Sequence, residues 1–318
     1  MSKITGIIPT CNRAHLLATA IKSVLSQTFQ DFELIIVDDC SSDNPGAVVK
    51  SFPDARIRYI RHEARKGGSG ARNTGIVNSN GQFIAFLDDD DEWLPEKLAK
   101  QVAILEGSDA ELGCVYTGYT IVNRGTGEIR AQIVPTKRGD LSHDLLVENP
   151  LGAGGSSVLL KRECFDRIGM FDEQLPCFQD YDFWIRLSKQ FKFDFVTEPL
   201  VKNYMHEHKI WTNTDAIRKG ADIMVRKYGE SNGFRKRCSL YYLAVAVQLC
   251  ERGERTKARD LIRCAISLDP YNARHYMYFV FSLLTQHTYQ KVQRCKAHIM
   301  SILHRTSLQT PNSTSVPL

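Results

Sequence analysis

The stretch FIAFLDDDDEWLP, from Phe83 to Pro95, raises the central chemical question of this chain. A run of aliphatic and aromatic residues suited to a buried strand stops at Asp88, Asp89, Asp90, Asp91 and Glu92. Crowded carboxylates oppose one another's ionisation unless a cation lies among them. Most acidic runs are solvated loops. These acids, however, follow a strand expected to be covered on both faces, and open α/β sheets bind ligands beyond the carboxyl ends of their strands. Oxygen-only ligands suit Mg2+ or Mn2+, which take one or two protein carboxylates together with substrate phosphates. The run therefore points to a metal–diphosphate site.

Four further constellations carry chemistry. In IVDDCSSD, Asp38 and Asp39 stand at another strand end and could accept from a nucleobase N–H or a ribose hydroxyl, while Ser42 and Asp43 fit a turn and helix cap. In GGSGARNTG, three glycines allow close backbone approach, and Arg72 at a helix start could reach a phosphate. This is neither G-x-G-x-x-G nor a P-loop. It misses the hydrolase elbow G-x-S-x-G because Ala71 replaces the last glycine, which leaves a serine hydrolase using Ser69 as a competing class. In FQDYDFWIRL, Asp180 and Asp182 open a helix, one as a favourable cap and the other as a general base. In YMHEHKIWT, His206 and His208 would share one face of a strand.

The elements that must position these groups alternate along the first hundred residues. ITGIIPT reads as a buried strand, and Asn12 can cap a helix whose apolar positions run from Leu16 to Leu25. FELIIVDD, IRYIRH and QFIAFL are further strands, with helices between them and another opened by Pro95. Such βαβ units imply a mostly parallel central sheet with helices on both faces, which turns both acidic clusters toward one crevice. Three regions are expected: a catalytic domain over 1–230, an all-helical region over 236–305 and a disordered polar tail over 306–318. The helical region has tetratricopeptide-like spacing at Tyr242, Ala246, Leu249, Ala258, Ile262, Ala265 and Pro270.

Composition narrows the function classes. A net charge of +5, evenly mixed, argues against nucleic acid as partner. It leaves room for peripheral contact with an anionic membrane surface. The nine cysteines are odd in number and show no C-x-x-C pair, as expected of reduced, cytosolic thiols. The N-terminus lacks a signal-peptide pattern and no window reaches the length of a membrane span, so the expectation is a cytoplasmic protein, at most peripheral at the inner face of the membrane.

Taken in order, IIPTCNRAHLLATAIKSVLSQTFQDFELIIVDDCSSD, GGSGARNTGI, FIAFLDDDDEWLPEKL, FDEQLPCFQDYDFWIRL and YMHEHKIW resemble the family 2 glycosyltransferases of GT-A fold, from about Lys3 to Gly229. The resemblance implies inverting, metal-dependent transfer of a hexosyl group from a nucleotide-diphospho-sugar, a UDP-sugar being favoured, to a saccharide or lipid-linked acceptor in cell-surface polysaccharide or glycolipid assembly. By the family pattern Thr10 and Asp39, with Asp38 adjacent, look like nucleoside contacts, and Arg72 looks like part of the donor pocket. Asp88 and Asp90 match the D-x-D pair, with Asp90 the better metal ligand and Asp89 assigned to the donor side. Asp180 matches the catalytic base, and His206 a histidine that approaches the metal or diphosphate. Two positions depart from the pattern: Gln179 replaces a glutamate and Cys11 an aromatic residue. The competing expectation within this fold is a non-catalytic scaffold that binds a protein partner through its C-terminal helices.

Overall fold

The computed structural model describes residues 2–152, 154–205 and 213–284. The chain divides into two compact units, 1–237 and 238–318. In the first, β1 (Ile4–Thr10), α1 (Ala14–Leu25), β2 (Phe32–Asp38), α2 (Pro45–Lys50), β3 (Ile57–Arg61), α3 (Gly67–Val77) and β4 (Phe83–Phe86) alternate as expected. There follow β5 (Asp91–Trp93), α4 (Lys97–Glu106), β6 (Leu112–Asn123), β7 (Ile129–Ile133), β8 (Val158–Lys161), α5 (Glu163–Ile168), α6 (Gln179–Ser188), β9 (Lys192–Met205) and α7 (Thr214–Tyr228). α8 (Asn232–Glu251) runs across the division, and the second unit continues with α9 (Arg255–Leu268) and α10 (Ala273–Leu283). There, α9 buries Ala258, Leu261, Ile262 and Ala265 along one stripe, the 3.6-residue pattern of a packed helix. No helix among the described residues is long and apolar enough to cross a membrane.

The nine strands form one sheet in the order β3-β2-β1-β4-β8-β6-β9-β5, with β7 beside β6. The first four pair in parallel. The second half is mixed: β8 is antiparallel to β4 and β6, β9 is parallel to β6, and β5 is antiparallel to β9. The sheet is thus parallel where βαβ patterning is legible and mixed beyond it. Every residue of β2 is buried, because helices cover both faces. On one face α1 sets Leu17, Ile21 and Val24 against Ile4, Ile8, Leu34 and Ile36. Each such side chain contributes about 1.5–3 kcal/mol by leaving water. On the other face α3 lies so close to β1 that a Cβ on Gly75 would stand 2.5 Å from Ile7, which is why glycine is required there.

Two expected caps differ. Asn12 does not cap α1; it sits at φ 55° and its side chain accepts from the Ser42 amide at 2.8 Å. The Ala14 amide is satisfied instead by Asp43, 29 residues away in sequence. Pro95 precedes α4 by two residues, and the helix begins at Lys97.

The acidic run itself is a strand–turn–strand. Asp88 to Asp91 form a β-turn closed by the Asp91 amide on the Asp88 carbonyl at 3.0 Å, and β5 starts at Asp91. Four strand spacings separate β4 from β5 in the sheet order, about 19 Å if the sheet were flat. A turn of this size spans less than ~7 Å, so the sheet must curl. The β6–β9 ribbon does so: its register shifts at Thr117/Gly118 and Gly118/Tyr119, where a side chain on Gly118 would strike the Ile133 carbonyl.

Lys97, the first residue of α4, is fully buried, with its ammonium 4.2 Å from the Trp93 ring centroid and 2.8 Å from Gln101 Oε1. Burial pushes its pKa well below that of a free lysine. The folded chain therefore binds fewer protons than the unfolded one between the two values, and stability should rise with pH through that window. In urea unfolding from pH 6 to 10, wild type should gain on Lys97→Met as pH rises, by at most ~1.4 kcal/mol per pH unit. Parallel stability curves would show that Lys97 stays charged in the fold.

Candidate functional site

The carboxyl ends of β1, β2 and β4 meet the N-terminal parts of α1, α3 and α6. Four consecutive aspartates at the end of β4 are divided among partners by the turn. Asp88 pairs with Arg72, Nη2 to Oδ1 at 2.6 Å. Asp89 turns the other way, accepting from the Thr10 hydroxyl at 2.7 Å and lying 3.1 Å from Arg13 Nη1. That same Arg13 nitrogen lies 3.3 Å from Asp90 Oδ2, and the Asp90 carbonyl accepts from Arg124. Asp91 accepts from the Ser156 hydroxyl at 2.7 Å and from the Asn203 amide at 3.1 Å. Ser156 in turn accepts from the Asp88 amide at 3.1 Å, so one serine clamps both ends of the turn. Glu92 pairs with Lys202 and Tyr204 on β9.

Burial raises the Asp89 pKa to about 6, with Asp90 adding to the effect and Arg13 and Thr10 opposing it. Oxygens of Asp88, Asp90 and Asp91 lie within 4.8 Å of one another, close enough to share a cation. Three carboxylates, with no nitrogen or sulfur donor in the cluster among the described residues, suit a hard divalent ion. The D-x-D resemblance points to Asp88 and Asp90 for this role and does not include Asp91. The β-turn brings it back, a geometry that periodicity along the chain does not reveal. His206 lies outside the described residues.

Arg72 lies in the second turn of α3, not at its start, and reaches back over Phe171 to Asp88. Its Nε is buried without a hydrogen-bond partner among the described residues, a costly state in a finished core. Ser69 is buried in the same helix and donates to the Asp172 carbonyl at 2.9 Å, so it packs α3 rather than standing on a nucleophile elbow. Asp38 is also scaffold: it is 0% exposed and accepts from the Ser41 amide and the Tyr59 hydroxyl. Asp39 differs. It accepts from His62 Nδ1 and from the Lys66 and Gly67 amides at the entry to α3. Thr10, Arg72, Asp39 and the acidic turn are thereby gathered at one end of the sheet, and Asp38 is set behind it.

Asp180 and Asp182 sit one after the other on α6 and do opposite things. Asp182 is fully buried and accepts from Arg186, Lys227 and Tyr228, which fastens α6 to α7. Asp180 is half-buried at the helix entry and, among the described residues, has no cation in hydrogen-bond contact; burial raises its pKa, Arg72 and the Tyr181 amide oppose the rise, and Asp88 adds to it. Between Asp180 and the acidic turn lies the 3-10 turn Gly154–Ser157. Gly154 has φ 58°, and a Cβ there would stand 3.2 Å from Asp180 Oδ2 and 3.9 Å from Asp88 Oδ2. Glycine thus keeps open the space into which both carboxylates face. Gln179 lies beside α3, its Nε2 3.1 Å from where a Gly68 side chain would begin.

The curled mixed sheet with this acidic turn is the GT-A type of α/β fold. It is shared with S. aureus TarS 1-349 in complex with UDP-GlcNAc (TM-score 0.58, 16% identity, 91% of this chain and 92% of that one). It is shared also with the mannosyltransferase PcManGT from Pyrobaculum calidifontis in complex with GDP-Man and Mn2+ (TM-score 0.55, 18% identity, 94% of this chain and 85% of that one). The chain matches the family described as Glycosyl transferase family 2 over residues 5–169, more than half its length, and belongs to that family. It is 34% identical to the Escherichia coli UDP-Glc:alpha-D-GlcNAc-diphosphoundecaprenol beta-1,3-glucosyltransferase WfgD, over 58% of this chain and 70% of that protein. It is 32% identical to an uncharacterized glycosyltransferase of Rickettsia felis over 65% of this chain, spanning about a third (35%) of that relative's length.

The two aspartates of α6 should separate in stability. Asp182→Ala leaves Arg186, Lys227 and Tyr228 facing an empty position and should cost about 3 kcal/mol, measured by urea unfolding. Asp180→Asn, which removes a charge that burial disfavours, should be neutral or stabilising by up to ~1 kcal/mol at pH 7. Equal losses would contradict the division of roles.

Proposed function

We propose that this chain is an inverting, metal-dependent glycosyltransferase. It moves a sugar from a nucleotide-diphospho-sugar, a UDP-sugar, to a hydroxyl of a saccharide or lipid-linked acceptor in cell-surface glycan assembly. The observation that carries the proposal is the gap beside Gly154, flanked by Asp180 on one side and the Asp88–Asp91 turn on the other. A base and an acidic, arginine-braced anion site facing one small space suit displacement at a carbon held between them.

In this reading Asp180 removes the proton from the acceptor hydroxyl as it attacks. A carboxylate whose pKa is raised is a better base than a solvated one. Arg72, already oriented by Asp88 and with its Nε unmet, neutralises charge growing on the departing diphosphate. Thr10 and Asp39 hold the nucleoside at the ends of β1 and β2. Asp88, Asp90 and Asp91 would hold Mg2+ or Mn2+, which would supply Lewis-acid neutralisation of the leaving group. A single displacement inverts the anomeric carbon and needs no enzyme nucleophile, consistent with Ser69 being turned into the protein. WfgD carries UDP-Glc and a lipid diphosphate in its name, and PcManGT was solved with Mn2+, which supports the donor, acceptor and metal classes assigned here. The helices of the second unit would form a tetratricopeptide-like element that contacts a protein partner or the membrane surface.

Transfer from a UDP-sugar in the presence of Mn2+ should fall ~10²–10⁴-fold in Asp180→Asn with nucleotide binding retained. Asp90→Ala should lose both transfer and Mn2+-dependent binding. Product NMR should show the opposite anomeric configuration to the donor. Full activity in Asp180→Asn would remove the base assignment, and retention of configuration would remove the mechanism.

A further inference from the structure

Resting on the reading of Asp39 as the nucleoside contact, we infer that His62 sets which base that carboxylate accepts. A carboxylate offers about four lone-pair positions. At Oδ1 of Asp39, His62 Nδ1 donates at 2.8 Å and the Lys66 amide at 2.7 Å, filling both positions. At Oδ2 the Gly67 amide donates at 2.9 Å, leaving one. Asp39 is 5% exposed, in keeping with a carboxylate that has one point of access.

His62 is placed to keep Oδ1 filled. It is buried, its amide donates to the Asp38 carbonyl at 2.9 Å, and its Nε2 lies 2.9 Å from the Thr74 hydroxyl on α3. The ring is therefore held at both ends, between the end of β2 and the helix that carries Arg72. Because Asp39 Oδ1 can only accept, Nδ1 carries a proton whether the ring is neutral or charged, and Thr74 can donate to or accept from Nε2 as required.

A single open acceptor distinguishes bases by their edges. Uracil presents one donor, N3–H, between two carbonyls. Guanine presents two adjacent donors, N1–H and the N2 amine, and pairs best with both oxygens of a carboxylate. With Oδ1 occupied, guanine would leave one donor unmet, and a buried polar group without its partner discriminates strongly. Cytosine presents an acceptor at N3 and faces the carboxylate with like charge density. His62 is thus a positioning residue that restricts Asp39 to a one-donor base. The GT-A fold itself leaves this open, since it occurs with UDP-GlcNAc in one neighbour and GDP-Man in another.

The test is calorimetry of UDP and GDP binding, with Mn2+, to the full chain and two variants. Asparagine can place an N–H where Nδ1 stands, whereas glutamine reaches toward Thr74 and leaves Oδ1 open. Wild type should bind UDP at least tenfold tighter than GDP. His62→Asn should keep that ratio within about twofold, and His62→Gln should reduce it about tenfold, with equal melting temperatures for the two variants. Equal ratios in Asn and Gln variants would overturn the inference while leaving the donor reading intact, and a wild-type preference for GDP would do the same. Wild type binding neither nucleotide would overturn both. On wild type alone, the His62 Nδ1–H proton resonance should persist when UDP binds; its loss would show that Asp39 releases His62 and would also overturn the inference.

Discussion

The first unit depends on keeping four consecutive aspartates within one β-turn at the end of a buried strand. Mutual repulsion would spread such a sequence into solvent, and three of the four are nonetheless buried. The turn resolves the conflict by sending successive side chains to different partners. Arg72 comes from α3, Arg13 from the start of α1, and Ser156 with Asn203 from the far half of the sheet. No single element could supply all of these. The curled sheet and the helix entries around its carboxyl ends are the arrangement that delivers them together.

Compensation is uneven, and that unevenness separates scaffold from site. Asp38 and Asp182 are as buried as any acid in the chain and are fully engaged, by Tyr59 and the Ser41 amide in one case and by Arg186, Lys227 and Tyr228 in the other. Asp89 and Asp180 keep raised pKa values, and Arg72 keeps an unmet Nε. A finished core removes such costs, whereas a site that must receive charged or hydroxylated groups tolerates them. The neighbouring positions 180 and 182 show both outcomes within a single helical turn.

The strand and helix alternation through β4 was legible because buried parallel strands are continuous apolar runs and amphipathic helices repeat at 3.6 residues. So were Arg72, Asp88, Asp90 and Asp180 as candidates, because they lie in or beside the strand ends and helix entries where open α/β sheets bind ligands. What escaped depends on distance in sequence. Asp43 serving α1 in place of Asn12, and Ser156 clamping Asp88 and Asp91 across 65 or more residues, follow from curvature rather than from local pattern. His62 lies just past the end of β3, and its two nitrogens meet Asp39 and Thr74, residues that only the folded chain brings to it. Asp38 and Asp39 look equivalent in sequence; pleat alternation sends one behind the sheet end and the other to the entry of α3.

The strand–turn–strand form of the acidic run also makes its length a structural quantity. β4 belongs to the parallel half of the sheet and β5 closes the far edge, so the residues between them tie the two halves together. Insertion or deletion of one aspartate would move Asp91, Glu92 and Trp93 out of register with β9 and take the Trp93 indole away from the Ser156 carbonyl. A change of side chain within the run removes that residue's own partners but leaves the register in place. A change in the number of residues in this segment is therefore expected to disturb the sheet itself, and a change of side chain only the groups it touches.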